Sequence, residues 1–347
     1  MATMHAAIYS GIGQIHWREV ERLPPPPGYV VLKTQRAGIC GSDLHNYWGH
    51  WSASHTFATG HETCGVVVEL GEGVKGLQLG DRVAVECFSH CGECVYCQTG
   101  QYNHCLERKG VSHHLHGGFA EFTTTHASAL FKLPATLSDE EGALVEPLAV
   151  AVRALAQAKA TYADRVVIIG GGTIGLLCLA VAVANGVKET MITVKYPQQA
   201  RLARELGADH VVDITQTNVR DAVKELTGGL GTDVVVETVG GARQFEDALS
   251  IVRKRGTVVL VAGYFEPLSV NLERMVWSEA VVTGSNCYGY SGLTTDFQAA
   301  IDLIANRKLD PAKIVSHRFP FEAITEAFAV AADKESGSVK VHLQVDE

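Results

Sequence analysis

The chain has 347 residues, 29 basic and 38 acidic side chains, a net charge of -9 and nine cysteines. At about 150 residues per domain this suggests two domains, and 46% hydrophobic with 19% charged residues excludes a disordered chain. The negative balance, with no run of Lys and Arg, argues against a nucleic-acid partner. The N-terminal stretch has no basic region followed by an apolar one, so cytoplasm is the default expectation.

Residues 1 to about 150 read as short strands, at Val30–Thr34, Gly65–Leu70, Arg82–Glu86 and Phe119–Thr123, separated by turns such as Gly71-Glu72-Gly73. The run Pro24–Pro27 is a stiff turn. Within this region Cys91, Cys94, Cys97 and Cys105 form C-x2-C-x2-C-x7-C, the most specific motif of the chain. Four thiolates at this spacing suit one tetrahedral ion, and such a closed site is structural because no position remains for substrate. Cys87 is off the pattern, while Cys64, Cys178 and Cys287 read as buried thiols.

From about residue 140 the pattern alternates. Helices are expected at Glu140–Ala160, Ile174–Ala184, Gln198–Leu206, Val219–Leu226 and Phe245–Val252. Strands are expected at Arg165–Ile169, Glu189–Lys195, His210–Asp213, Asp233–Glu237 and Thr257–Val261. Apolar strands between helices predict a parallel sheet covered on both faces. Two more helices are expected at Phe297–Asn306 and Glu322–Ala331. Val166–Asn185 is uncharged and long enough for a bilayer, but Gly170, Gly171 and Gly172 favour a turn there. There is no internal repeat.

Gly170-Gly171-Gly172-Thr173-Ile174-Gly175 is a G-x-G-x-x-G between strand and helix. Gly170 makes the tight turn, Gly172 lets backbone N–H groups approach a pyrophosphate, and Gly175 allows close helix packing. Thr173 and Ile174 complete the loop. An NAD site places an acid at the end of the next strand. Here that end reads Val194-Lys195, which favours NADP over NAD.

Cys40, in Gly38-Ile39-Cys40-Gly41-Ser42-Asp43-Leu44-His45, with His61-Glu62 and Glu146-Pro147, offers one thiolate, one imidazole and carboxylates. That mixed set suits an open zinc site. Each segment alone is weak evidence, since a buried Cys is often only a small hydrophobe.

In this order, ending in Ser316-His317-Arg318-Phe319-Pro320, the motifs resemble the zinc-dependent medium-chain dehydrogenase/reductase superfamily. The likeness is nearest its butanediol, threonine and sorbitol dehydrogenase branches and extends over essentially the whole chain. The resemblance implies an α/β chain with a GroES-like mostly-β catalytic domain and a Rossmann doubly wound parallel-sheet domain. The implied divisions are 1–152 with a structural-zinc lobe at about 87–110, then 153–287, then a return to the catalytic domain at 288–347. It implies catalytic zinc on Cys40 and His61, with Glu62 or Glu146 as the carboxylate ligand, and structural zinc on the four clustered cysteines. By the same resemblance Asp43 would orient His61, and Ser42 and His45 would relay the substrate proton to solvent.

The implied reaction is hydride transfer between NAD(P) and a secondary alcohol, diol or sugar-like polyol, by a homodimer or homotetramer with no nucleic-acid or membrane partner. Gly284-Ser285-Asn286-Cys287-Tyr288 lacks the Arg that sorbitol dehydrogenases place there, which argues against a strict sorbitol assignment. Two rivals make other expectations. A zinc- and nucleotide-binding redox-sensing or structural protein without turnover predicts a damaged relay, and a zinc-free quinone or enoyl reductase predicts lost zinc ligands. Tyr47, Trp48, Trp51 and Phe57 either wall a pocket or pack a lobe. His113, His114 and His116 are expected on an exposed loop.

Overall fold

The computed structural model describes residues 2–51, 55–111 and 115–345. These fall into two units, one of 1–146, 297–307 and 311–347, the other of 147–296 and 308–310.

The first unit opens with the antiparallel pair β1 (Thr3–Gly11) and β2 (Gln14–Glu21), followed by β3 (Tyr29–Gly38) and α1 (Gly41–Tyr47). After β4 (Glu62–Leu70) and β5 (Arg82–Val85), the cysteine lobe contains the hairpin β6 (Phe88–Ser89) and β7 (Lys109–Gly110) around α2 (Val95–Gln98). β8 (Phe122–His126) and β9 (Leu130–Lys132) lead into α3 (Asp139–Ala158). The expected strand at Phe119–Thr123 thus lies three residues further on. Phe119 and Ala120 are instead wholly buried, with Ala120 bridged to Ala6, so tertiary packing overrides their strand propensity. A capping box starts α3: the Glu141 N–H donates to Ser138 Oγ and the Ser138 N–H to Glu141 Oε2. Lys159, in the left-handed region at φ 53°, follows its end.

The second unit alternates β10 (Arg165–Ile169), α4 (Thr173–Ala184), β11 (Glu189–Val194), α5 (Pro197–Glu205), β12 (His210–Asp213), α6 (Val219–Thr227), β13 (Thr232–Glu237), α7 (Ala242–Ile251) and β14 (Val252–Leu260), then α8 (Glu273–Ser278) and β15 (Val281–Gly284). The six strands form one wholly parallel sheet in the order β12-β11-β10-β13-β14-β15. That is a doubly wound order, with the chain reversing direction across the sheet at β10 and β13. The uncharged run 166–185 is divided between β10 and α4. Residues 175–182 are buried all round, which is why the helix carries no polar face. Among the described residues no helix is long and apolar enough to cross a membrane.

The hairpin β16 (Tyr290–Ser291) and β17 (Thr294–Thr295) precedes α9 (Asp296–Ala305). β18 (Val315–Pro320), α10 (Ile324–Ala332) and β19 (Lys340–Gln344) then complete the first unit. Its main sheet runs β18-β19-β3-β4-β5-β9, with β8 also on β3. Ile8, Tyr9, Ile15, Phe119, Phe321, Ile324, Phe328 and Leu343 belong to a core cluster that unites both ends of the sequence.

Candidate active site

Strand register assembles the candidate metal centre. β3 pairs with β4 so that Gly38 faces Glu62. Cys40, two residues beyond Gly38, therefore meets His61, one residue before Glu62. Donor atoms of Cys40, His61 and Glu62 all lie within 4.8 Å of one another. A Cβ at residue 38 would stand 2.1 Å from Glu62 Oε2, so only glycine fits there. Asp43 Oδ2 accepts from the Cys40 N–H at 2.9 Å, and Asp43 Oδ1 accepts from Thr59 Oγ1 at 3.4 Å. Burial pushes the Asp43 pKa up, against the pull of His61. Desolvation alone would depress His61. Cys40 beside it, by charge and hydrogen bond, with Asp43 and Glu146, instead raises it well above the usual imidazole value. Anions thus converge on one imidazole, and this soft-and-hard donor set fits a zinc dication that leaves the ring neutral. Glu146, buried in α3, acts on His61 by its charge.

Sequence reasoning missed Lys340. It is 1% exposed, as is Glu62, and its Nζ donates to Glu62 Oε1 and Oε2 at 2.7 and 2.5 Å and to the Ile39 carbonyl at 3.0 Å. One signal was available: a Lys between Val339 and Val341 in an apolar terminal strand needs a buried partner. Glu62 is therefore both a candidate ligand and half of a buried ion pair.

The cysteine lobe is a second centre. Sγ atoms of Cys91, Cys94, Cys97 and Cys105 lie within 4.8 Å of one another. Backbone N–H groups of Glu93 and Cys94 donate to Cys91 Sγ at 3.4 and 3.3 Å, and that of Glu107 to Cys105 Sγ at 3.3 Å. The Leu106 and Cys97 amides lower the Cys94 thiol to about 6, whereas desolvation pushes Cys97 up to about 12. Amides aimed at sulfur stabilise thiolates, so the lobe fits a tetrathiolate zinc. Among the described residues no cysteine is in a disulfide. Cys64 and Cys178 are buried as expected, but Cys287 is only half-buried and sits at φ 51°, because its loop turns there.

In the second unit a cavity of about 570 Å³ opens at the ends of β10 and β11. Its lining includes Gly170, Gly172, Val194, Lys195, Thr217 and Arg243. The three glycines divide their roles sharply. Gly170 turns at φ 108°, a Cβ on Gly172 would meet nothing within 4 Å, and a Cβ on Gly175 would lie 1.8 Å from the Gly170 carbonyl oxygen. The open face at Gly172, the N-cap of α4, fits a pyrophosphate. Thr173 and Ile174 form the first turn of α4. Lys195 lies over the Tyr196 ring, and its N–H donates to Gln199 Oε1. Arg243 is a second cation on this cavity that the motif did not reveal, because it lies on α7, far along the chain.

Ser42 lies half-buried in the first turn of α1, with His45 one turn on. Of the four aromatics near Cys40, Tyr47 packs on Phe328 in the core and Phe57 lies edge-on to His116, whereas Trp48 and Trp51 flank His45. His116 corrects the exposed-loop expectation: it is 6% exposed and accepts from the Ala58 N–H, because it fastens the segment leading to His61. His113 and His114 lie outside the described residues.

A model of the alcohol dehydrogenase GroES-like domain matches residues 26–135, and one of the zinc-binding dehydrogenase matches 173–306. Sorbitol dehydrogenase of Halalkalibacterium halodurans is 35% identical over 98% of this chain and 99% of its own. A zinc-binding dehydrogenase of Sinorhizobium meliloti 1021, solved with NADP, is 29% identical with a TM-score of 0.88, over 99% of this chain and 100% of its own. An alcohol dehydrogenase of Escherichia coli CFT073, solved with NADH, is 26% identical with a TM-score of 0.90, over the same shares. Whole-chain likeness at this level joins the thiolate–imidazole centre, the tetracysteine lobe and the glycine turn in one lineage: the chain belongs to the zinc-dependent medium-chain dehydrogenase/reductase superfamily.

Proposed function

We propose that the chain is a zinc- and NAD(P)-dependent oxidoreductase interconverting a secondary alcohol, diol or sugar-like polyol and its ketone, with NADP preferred. The observation that carries the reading is the convergence of Cys40, His61 and Glu62 within 4.8 Å, because a structural site alone would need no such open, mixed donor set. Zinc held there supplies the Lewis acidity that an alcohol needs to ionise near neutral pH.

In this reading Cys40 and His61 hold the metal, with Glu62 or Glu146 as the carboxylate, and Asp43 fixes the loop that presents Cys40. Ser42 accepts the proton of the substrate hydroxyl and His45 carries it outward. Gly170, Gly172, Thr173, Ile174, Gly175 and Val194 form the dinucleotide cradle. Lys195 and Arg243 supply positive charge for a 2′-phosphate where an NAD site would carry an acid. The relatedness to a sorbitol dehydrogenase supports a polyol-like substrate.

Cysteines that lie outside any disulfide support a reducing compartment, and we read the chain as cytoplasmic. We also read it as a homodimer or homotetramer. β15 is an edge strand, and nearby Val276 and Trp277 are 74% and 77% exposed. A panel of sorbitol, 2,3-butanediol and threonine with their ketones, run with NADP and NAD before and after chelation, tests the reading. Turnover lost on chelation is expected. No turnover of any member by the zinc-replete protein would overturn it.

A further inference from the structure

The segment after Cys40 carries an arrangement that no motif describes. α1 ends at Tyr47, and Gly49 turns the chain at φ 75°. The turn is obligatory twice over, since its φ favours glycine and a Cβ would stand 2.6 Å from Ile12 Cγ1. It brings His50 back over the helix end, where its N–H donates to the His45 carbonyl at 2.9 Å. The two rings then meet with Nδ1 to Nδ1 at 2.9 Å.

At that distance one nitrogen donates and the other accepts, so the pair shares one proton along the contact. Trp51 stacks on His45 with centroids 5.3 Å apart and Trp48 lies edge-on at 5.8 Å. These indoles are neutral and release no proton, whereas His50 is exposed. Desolvation and the neighbouring His50 both lower the His45 pKa. A proton arriving at His45 is therefore held weakly and passed on.

We infer that His50 is the outer member of the proton relay: a proton reaching His45 travels along the Nδ1–Nδ1 hydrogen bond to His50, whose exposed ring delivers it to water. In ketone reduction the pair runs inward. The step moves a proton only, breaking one N–H bond as another forms. The inference rests on the reading of His45 as a relay residue, and the test separates the two.

Proton release is followed with a pH indicator in weakly buffered, single-turnover mixtures of the zinc-replete enzyme, NADP and the alcohol of the panel that turns over. NADPH formation is recorded in parallel. His50→Gln, and His50→Asn, whose amide replaces Nδ1 as a hydrogen-bonding group, are expected to slow proton release about tenfold, with recovery on adding imidazole. His50→Gln should also move the His45-dependent limb of the pH profile upward, since a lowering neighbour is gone. If His45→Gln slows release and both His50 variants match wild type, His50 is no relay while His45 still is. If His45→Gln also matches wild type, the relay itself falls. A slow His50 variant with an unshifted pH profile and no imidazole rescue marks a merely structural histidine and overturns the inference.

Discussion

The two metal-donor clusters are built in opposite ways. In the lobe, four cysteine sulfurs come from fifteen consecutive residues, and neighbouring amides point at Cys91 and Cys105. Chain spacing does the work, and four donors leave no room for a fifth partner. The Cys40–His61 centre draws its donors from separate elements and surrounds them with further charge: Asp43, Glu146 and the buried Lys340–Glu62 pair. A closed site needs only proximity. An open one needs surplus charge held in place by the fold.

The largest expected break in this contrast is at Lys340. Lys340→Met strands the Glu62 carboxylate without its ammonium in a buried setting, at a cost of about 3–5 kcal/mol. Thermal unfolding should register a marked fall in Tm, and Glu62→Gln in the same chain should recover part of it. If K340M melts like wild type, the pair is not an organising element of the centre.

Next comes Gly175. A Cβ there meets a backbone oxygen that cannot move aside, so Gly175→Ala should destabilise the second unit by about 1–3 kcal/mol, read as a drop in denaturation midpoint. Gly172→Ala enters open space and should leave the midpoint unchanged while weakening dinucleotide binding, measured by NADPH fluorescence titration. Equal midpoints for the two variants would contradict this division.

Metal counts sharpen the comparison directly. Elemental analysis should find about two zinc per chain and about one in either Cys97→Ser or Cys40→Ser. The two should differ in kind: proteolysis within 87–110 should speed up only for C97S, because only that loop depends on its metal for form. Identical digestion of both variants would mean the lobe is not held by its ion.

The smallest effect is expected at the cofactor. Lys195→Ala or Arg243→Ala should each weaken NADP binding about tenfold, the worth of one charge-assisted phosphate contact, with NAD binding unchanged. NAD giving the higher kcat/KM in the parent enzyme would reverse the assigned preference.

What was readable in advance follows the range of each interaction. From β10 to β13 the helices and strands of the second unit were legible to within a residue or two, because an apolar strand and a glycine-ended helix declare themselves locally. By contrast α7 starts at Ala242 and β14 at Val252, well before the expected Phe245 and Thr257, and α8 and β15 were not expected. Phe119–Thr123 was displaced because burial of Phe119 and Ala120 against β1 outweighs local preference. His116 was misplaced for the same reason, being recruited inward by the Ala58 amide.

The sequence by itself determined the tetracysteine lobe and the glycine turn, since both are short loops whose geometry follows from spacing and φ alone. Only the tertiary structure decided which charges meet at Cys40 and His61. Lys340 reaches Glu62 across 278 positions through the β19–β3–β4 register, and Arg243 joins Lys195 from a separate helix. Such partners are chosen by strand order and by the cost of a buried charge left alone, and neither is written in the residues nearby.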